Sequence, residues 1–184
     1  MEKREFIKQF WKNKKSIGAM RPSSRILTDK MLQNIPFKRT KVFVELGPGT
    51  GVFTKEILSQ MSDDSLLFVF EVNDEFFSNL QKKLKDKRCI LIHDTAENIS
   101  VHLNKRGIEK ADVIVSSLPL ANFEEGLRTD ILKTAYENLQ ENGKFIQYQY
   151  SLQAKNILTD IFSQVNIDFT LWNLPPAFIY TCCK

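Results

Sequence analysis

Val42-Phe-Val-Glu-Leu-Gly-Pro-Gly-Thr-Gly-Val-Phe53 packs an apolar run, one acid, three glycines and the start of a helical pattern into a single short stretch. The run Val42–Leu46 is β-branched and aromatic and apolar on both faces, as a buried parallel strand should be. Gly47, Gly49 and Gly51, with Pro48 and Thr50 between them, let the backbone turn tightly and come close to a ligand, where a Cβ would intrude. The amides that open the next helix, expected over 52–60, then face that ligand. Dinucleotide-binding turns share this logic. Two details set this turn apart. Its spacing is Gly-x-Gly-x-Gly, and Glu45 at the strand's end would repel a pyrophosphate.

Further strands are expected at 66–71, 88–92, 112–116 and 144–150, and helices near 74–85, 96–105 and 124–140. Asn142-Gly143 reads as the stop of the last of these helices. Strands alternating with helices build βαβ units and a doubly wound sheet. The C-terminal part breaks the rhythm. After a helix at 152–163, strands at 166–172 and 177–182 are joined by Asn173-Leu-Pro-Pro176, too short for a helical crossover, so this pair must be antiparallel. The expected fold is therefore α/β and Rossmann-like. A seven-stranded, mostly parallel sheet ends in an antiparallel hairpin, with helices at 2–14 and 24–34 before it. That is the plan of class I methyltransferases. It divides the chain into an N-terminal helix and lid segment, 1–34, and a cofactor-binding catalytic domain, 35–184.

The strand ends carry the chemistry. Glu71, followed by Val72, closes the second strand, where an acid accepts hydrogen bonds from both ribose hydroxyls of a nucleoside. Asp94-Thr95-Ala96 follows the third, with Asp94 available to an adenine amino group. Together with Glu45, which attracts positive charge, these point to S-adenosylmethionine, whose nucleoside carries an ammonium and a sulfonium.

Composition bounds the rest. The 184 residues, 42% apolar and 26% charged, suit one globular domain without disulfide help. Cys89, Cys182 and Cys183 have no metal-site or disulfide spacing, so a reduced, cytoplasmic setting is expected. No secretory signal or membrane-spanning run is read from the chain. The charge is uneven: residues 1–25 hold eight basic and two acidic side chains, the remainder 18 basic and 20 acidic. In that segment Phe6, Ile7, Phe10 and Trp11 form one helical stripe, with Arg4, Lys8, Lys12 and Lys15 on other faces. A basic helix of this kind lies in a membrane interface, or packs on the core with a wet basic face.

Four motifs narrow the relationship: Ile17-Gly-Ala-Met-Arg-Pro-Ser-Ser-Arg25, Glu45-Leu-Gly-Pro-Gly-Thr-Gly-Val-Phe-Thr54, Ser116-Ser-Leu-Pro-Leu120 and Trp172-Asn-Leu-Pro-Pro-Ala177. Together they resemble bacterial phospholipid N-methyltransferases, a family that converts phosphatidylethanolamine towards phosphatidylcholine. The resemblance implies a peripheral-membrane enzyme, a phospholipid substrate and a monomer or weak oligomer. In enzymes that methylate base amino groups, the loop after the fourth strand carries Asn or Asp and then an aromatic residue that stacks on the flipped base. Here Ser116 or Ser117 stands for the amide and Leu120 for the aromatic, which disfavours nucleic acid and fits an aliphatic amine held by Leu118, Pro119 and Leu120. Ser116 is also a candidate for cofactor binding and catalysis. Tyr148 and Tyr150 alternate at the fifth strand's end and are candidate catalytic groups, or equally core residues; Asp94 and Glu124 are possible neighbours. His102 is expected on a polar helix surface. Arg21, Ser23 and Ser24 belong to the expected lid, with Arg21 or Arg25 meeting a lipid phosphate. An rRNA adenine methyltransferase, a small-amine methyltransferase and a non-catalytic cofactor-binding module stay open beside this reading.

Overall fold

The computed structural model describes residues 25–184; the helix expected over 2–14, with Arg21, Ser23 and Ser24, lies outside the described residues. The apolar runs become seven strands: β1 (Val42–Leu46), β2 (Leu66–Phe70), β3 (Cys89–Ile92), β4 (Ala111–Ser116), β5 (Leu139–Gln149), β6 (Gln164–Thr170) and β7 (Ala177–Cys183). The helices among the described residues are α1 (Arg25–Leu32), α2 (Val52–Gln60), α3 (Asp74–Lys83), α4 (Ile99–Asn104), α5 (Glu125–Asn138) and α6 (Lys155–Ile161). Short 3-10 turns occupy Ala96–Asn98 and Leu120–Asn122.

The sheet order is β3-β2-β1-β4-β5-β7-β6. The first five strands are parallel, and β7 runs antiparallel to both β5 and β6, as the short C-terminal link required. Strand order reverses between β1 and β4, so the crevice outside their carboxyl ends is the place where such a sheet accepts a ligand. Both faces are covered. Val44, Leu46, Phe68 and Ile114 pack against Ile99 and Leu103 of α4 and Ile131 and Leu132 of α5. Phe43, Leu67, Val69 and Val115 pack against Leu27 and Met31 of α1 and Phe53 and Ile57 of α2. Two-sided burial is why these strands read as unbroken apolar runs.

Three boundaries differ from expectation for identifiable reasons. Asn142-Gly143 does not stop a helix. Helix α5 ends at Asn138, where Leu139 turns extended. Asn142, at φ 62°, lies inside β5, where the register against β4 jumps from Ala111↔Leu139 to Val113↔Lys144. The pair thus makes an irregularity in a strand, a role open to the same residues. The hairpin is also shifted: Thr170↔Ala177 is its last pair, which leaves Leu171 and Trp172 in the loop rather than in β6. Arg88 precedes β3 instead of opening it. Its guanidinium donates to the carbonyls of Leu58 (2.8 Å) and Met61 (2.9 Å), capping the C-terminus of α2. Among the described residues, no helix is long and apolar enough to cross a membrane.

Candidate cofactor cleft and acceptor loop

At the carboxyl ends of β1, β2 and β4 lies a cleft open to solvent. Its walls are Leu46 and Gly47 after β1, Phe70, Glu71 and Val72 at β2, Asp94, Thr95, Ala96 and Glu97 after β3, Leu118 after β4, and Ile131 of α5. Gly47, at φ +70°, faces Leu118: a Cβ there would lie 2.8 Å from Leu118 Cδ2, so glycine lets the first and fourth loops meet. A Cβ on Gly49, at φ +55°, would instead meet nothing within 4 Å, so this turn borders open space.

Glu71 is 1% exposed. Its carboxylate accepts from the amides of Asn73 (2.8 Å) and Gly49 (3.2 Å), which ties the glycine turn to the end of β2. Burial pushes its pKa up to about 7, against the pull of those amides. Asp94 accepts from Thr95 N (2.8 Å), Asn98 Nδ2 (3.0 Å) and His102 Nε2 (3.0 Å). Burial acts to raise its pKa, but the His102 and Asn98 hydrogen bonds outweigh it and hold the carboxylate below its ordinary range. His102 is therefore not a free surface residue. Its ring stands edge-on to Phe70 at 5.5 Å and steadies the acid that faces the cleft.

Glu45 lies on the opposite face of the sheet, as alternation along β1 requires, among Phe43, Phe53 and Ile57. It is fully buried, and neither carboxyl oxygen has a hydrogen-bond partner among the described residues. The hydroxyl of Thr54, off hydrogen-bonding geometry, is likewise unpartnered. Burial drives the Glu45 carboxyl up to about 8; Thr54 lowers it only in part, and Glu71 adds to the rise. An uncharged acid at neutral pH, buried without a partner, is a poised acceptor for an incoming cation.

The acceptor loop is held from β5. Gln147 and Gln149, both buried, donate to the Leu118 carbonyl at 2.9 and 3.0 Å, and Gln149 Oε1 accepts from Ala121 N at 3.3 Å. Ser116 is fully buried, and its hydroxyl accepts from Leu118 N at 3.3 Å. It caps its own loop and does not line the cleft. Ser117 Oγ and Gln147 Oε1 are buried without partners among the described residues. Pro119 opens the 3-10 turn, and Leu120 is buried in the core. Tyr148 packs on Phe53 at 6.1 Å and on Tyr150 at 5.7 Å; Tyr150 is half exposed. Both tyrosines share the Glu45 face, so they are not in the nucleoside cleft.

The cleft thus brings together Gly47, Glu71, Val72, Asp94, Thr95, Ala96 and Leu118, while Pro48, Gly49, Thr50 and Gly51 form the turn beside it. Leu46, Phe70, Glu97 and Ile131 were not singled out from the sequence. The first two carry a readable signal, since each is the last residue of a strand that ends at the switch point. Gln147 and Gln149 carry one too, as polar residues at alternate positions of a buried strand. A nucleoside with a cationic tail fits these residues: Glu71 and Asp94 would hold the nucleoside, and the orphaned Glu45 carboxyl would meet the ammonium.

Comparison with known proteins agrees with this geometry. The family model described as the methyltransferase small domain matches residues 16–169. An ornithine lipid N-methyltransferase of Singulisphaera acidiphila is 31% identical over 96% of this chain and 93% of its own length. A ribosomal RNA small subunit methyltransferase H of a Psychrobacter species is 31% identical, but over 56% of this chain and 31% of its own length. Among solved structures, the N-methyltransferase NodS of Bradyrhizobium japonicum matches with a TM-score of 0.71 at 12% identity, covering 87% of this chain and 95% of that one. A precorrin-6y C5,15-methyltransferase of Geobacter metallireducens matches at 0.69 and 16%, covering 88% and 89%. These two share the fold. With the family match spanning most of the sequence, the chain belongs to the methyltransferase small domain family and is an S-adenosylmethionine-dependent methyltransferase.

Proposed function

We propose that this enzyme N-methylates the primary amine of a membrane amino lipid, of the phosphatidylethanolamine or ornithine-lipid kind, from the cytoplasmic surface of the membrane. The observation that carries the reading is the near-full-length match to the ornithine lipid enzyme, in which neither chain leaves a domain's worth of sequence unmatched. The ribosomal RNA relatives leave about two thirds of their length without a counterpart here. Leu120 supports the same choice, because a leucine buried in the core offers no platform for a flipped base.

S-adenosylmethionine supplies an electrophilic methyl carbon on a sulfonium. When bound, it would supply that methyl group for in-line transfer to the lipid amine, so what the chain contributes is proximity, alignment and a path for the amine's proton. An alkyl ammonium titrates near ~10, so an enclosed, poorly hydrated acceptor site helps by favouring the neutral amine. Glu45 would fix the cofactor's ammonium, and Glu71 and Asp94 its nucleoside. The glutamines of β5 hold the Leu118 carbonyl and with it the loop that bears Ser116 and Ser117. Tyr148 and Tyr150 would border the acceptor amine. Residues 1–34 serve as lid and membrane anchor, with Arg21, Ser23, Ser24 and Arg25 near the head group, and 35–184 as the catalytic domain.

The test is incubation of the full chain with methyl-labelled cofactor and vesicles containing phosphatidylethanolamine or ornithine lipid, followed by lipid separation. Label in mono-, di- or trimethylated lipid is expected, and the arm that labels identifies the head group. Label confined to added ribosomal RNA overturns the reading.

A further inference from the structure

Eight large apolar side chains are substantially exposed among the described residues, and six of them fall in two neighbouring segments. Tyr150 and Leu152 follow β5; Phe169, Leu171, Trp172 and Leu174 end β6 and form the β6–β7 loop. Leu171, Trp172 and Leu174 are 71%, 77% and 72% exposed, far beyond what a residue at a strand end needs. Scattered apolar residues on a surface are ordinary, but a cluster on one loop tip marks an interaction site.

The topology fixes where that tip points. Because β7 runs antiparallel to β5, with Gln149 opposite Phe178, it begins at the edge where the parallel strands end. The loop that precedes it therefore stands on the same edge as the cofactor cleft. With β4, β5 and β7 following β1 in the sheet, it lies roughly 14 Å to one side, three strand spacings of ~4.8 Å. The loop is internally braced: Asn173, itself buried, donates from Nδ2 to the Pro175 carbonyl at 2.8 Å.

Charge says what this tip meets. No charged residue occurs from Phe169 to Phe178, and the nearest acid on β6, Asp168, sits one residue deeper than Phe169. The shoulders are cationic. Lys155 opens α6 just after Leu152, and Lys30 of α1 donates to the Phe169 carbonyl at 3.1 Å. Arg25 opens α1 and adds a further basic side chain to it. An uncharged Trp–Leu tip between cationic shoulders complements an anionic lipid surface, with rings and methyls among the acyl chains and ammonium groups at the phosphates.

We propose that the β6–β7 loop, through Leu171, Trp172 and Leu174, inserts into the membrane interface and so turns the cofactor cleft towards the lipid head groups. This deepens the lipid-methylation reading and rests on it for the purpose of the contact, though the surface is tested separately.

The experiment uses the full chain with Trp11→Phe, which leaves Trp172 as the one tryptophan. The probes are vesicles of phosphatidylethanolamine and phosphatidylglycerol with plain or brominated acyl chains. Trp172 emission is expected to shift to the blue on vesicle addition and to be quenched by the brominated chains. Combining Leu171→Ser, Trp172→Ser and Leu174→Ser should lower both the vesicle-bound fraction and the methylation of vesicular lipid at least tenfold, with cofactor affinity unchanged as the sign of an intact fold. Emission blind to vesicles, or a triple-serine variant that binds vesicles like the parent, overturns the proposal. So does an unquenched Trp172 in a dimer that the triple variant loses, which assigns the surface to a second copy. Quenching with no label in any lipid supports the surface while removing the substrate reading; labelled lipid with Trp172 unquenched does the reverse.

Discussion

The nucleoside cleft and the Glu45 pocket flank the same glycine turn on opposite faces of the sheet, yet their polar groups are in opposite states. In the cleft, Glu71 and Asp94 each have fixed donors from neighbouring backbone and side chains. In the Glu45 pocket, the carboxyl and the Thr54 hydroxyl are buried and unpartnered. A satisfied site is pre-organised and gains little from any one contact. An unsatisfied one stores the desolvation penalty of its groups, which a matching ligand relieves. On the proposed reading, specificity for a cationic nucleoside over a neutral or anionic one would be concentrated in Glu45, and shape in the cleft.

The largest effect should come from breaking the unsatisfied side. Glu45→Gln keeps the size and removes the ability to ionise against a cation, so S-adenosylmethionine should bind on the order of 10- to 100-fold more weakly, the scale of one charged hydrogen bond. Affinity for uncharged adenosine, read by the same calorimetric titration, should change little. Equal losses for both ligands would place Glu45 in the nucleoside site and erase the contrast.

The same groups set a pH dependence. Glu45 and Glu71 titrate in the folded enzyme near about 8 and about 7, above the ordinary carboxyl value of 4.5. Between these values the folded chain binds more protons than the unfolded one, so stability falls as pH rises. Their contribution is fully present below about 4.5 and is lost through 7 and 8. The cofactor-free enzyme should melt on the order of 5 °C lower at pH 8.5 than at pH 6, as even one such linked proton is worth a few degrees in a domain of this size. Glu45→Gln should flatten the upper part of that slope. If Glu45 meets the cofactor's ammonium as proposed, cofactor affinity should run the other way, strengthening as pH rises towards 8, because that carboxyl must first lose its proton. A flat melting profile would mean that neither acid is desolvated in solution.

The acceptor loop lies between these extremes, half satisfied. Gln149→Leu and Gln147→Leu each remove one donor from the Leu118 carbonyl. Because the other glutamine still donates, each change loses one hydrogen bond, about 0.5–1.5 kcal/mol, so turnover should fall a few-fold while the cofactor dissociation constant stays within about twofold. Parallel losses in both would show that the glutamines support the cleft as a whole rather than the loop. On the satisfied side, His102→Ala should weaken cofactor binding only a few-fold, since Asn98 and Thr95 still hold Asp94.

Much of this was legible in the chain, and the limits have physical causes. Strands buried on both faces announce themselves as apolar runs, which is why β1 to β4 fell within a residue or so of their places. The position of Glu71 and Asp94 on the cleft wall could be read because a switch-point crevice is lined where strands stop, and strand ends are readable. Asn142-Gly143 misled because positive φ is common to helix stops and strand irregularities, and only pairing with β4 tells them apart. His102 was missed because its partner is eight residues back, across a 3-10 turn. The opposed placement of Glu45 and Leu46 was available from period-two alternation alone, but a glycine turn invites its neighbours to be read as one site.

A pair of modest effects, the smaller at Tyr150, best sharpens the division of faces. Tyr148 and Tyr150 stand edge to face at the end of β5 on the Glu45 side, Tyr148 against Phe53 and Tyr150 half in water. If they border the acceptor amine, removing a hydroxyl should alter the handling of that amine and leave the cofactor untouched. Tyr148→Phe keeps the packing on Phe53, so any loss belongs to the hydroxyl; a three- to tenfold fall in kcat is expected, about 0.7–1.4 kcal/mol. Tyr150→Phe, more exposed, should cost about twofold or less. A proton-accepting role would further move the pH profile of kcat for Tyr148→Phe, whereas a packing role would leave its shape unchanged. Should both variants keep full turnover on every amine tested, the acceptor is held wholly by the Ser117–Leu118 loop, and the Glu45 face serves the cofactor alone.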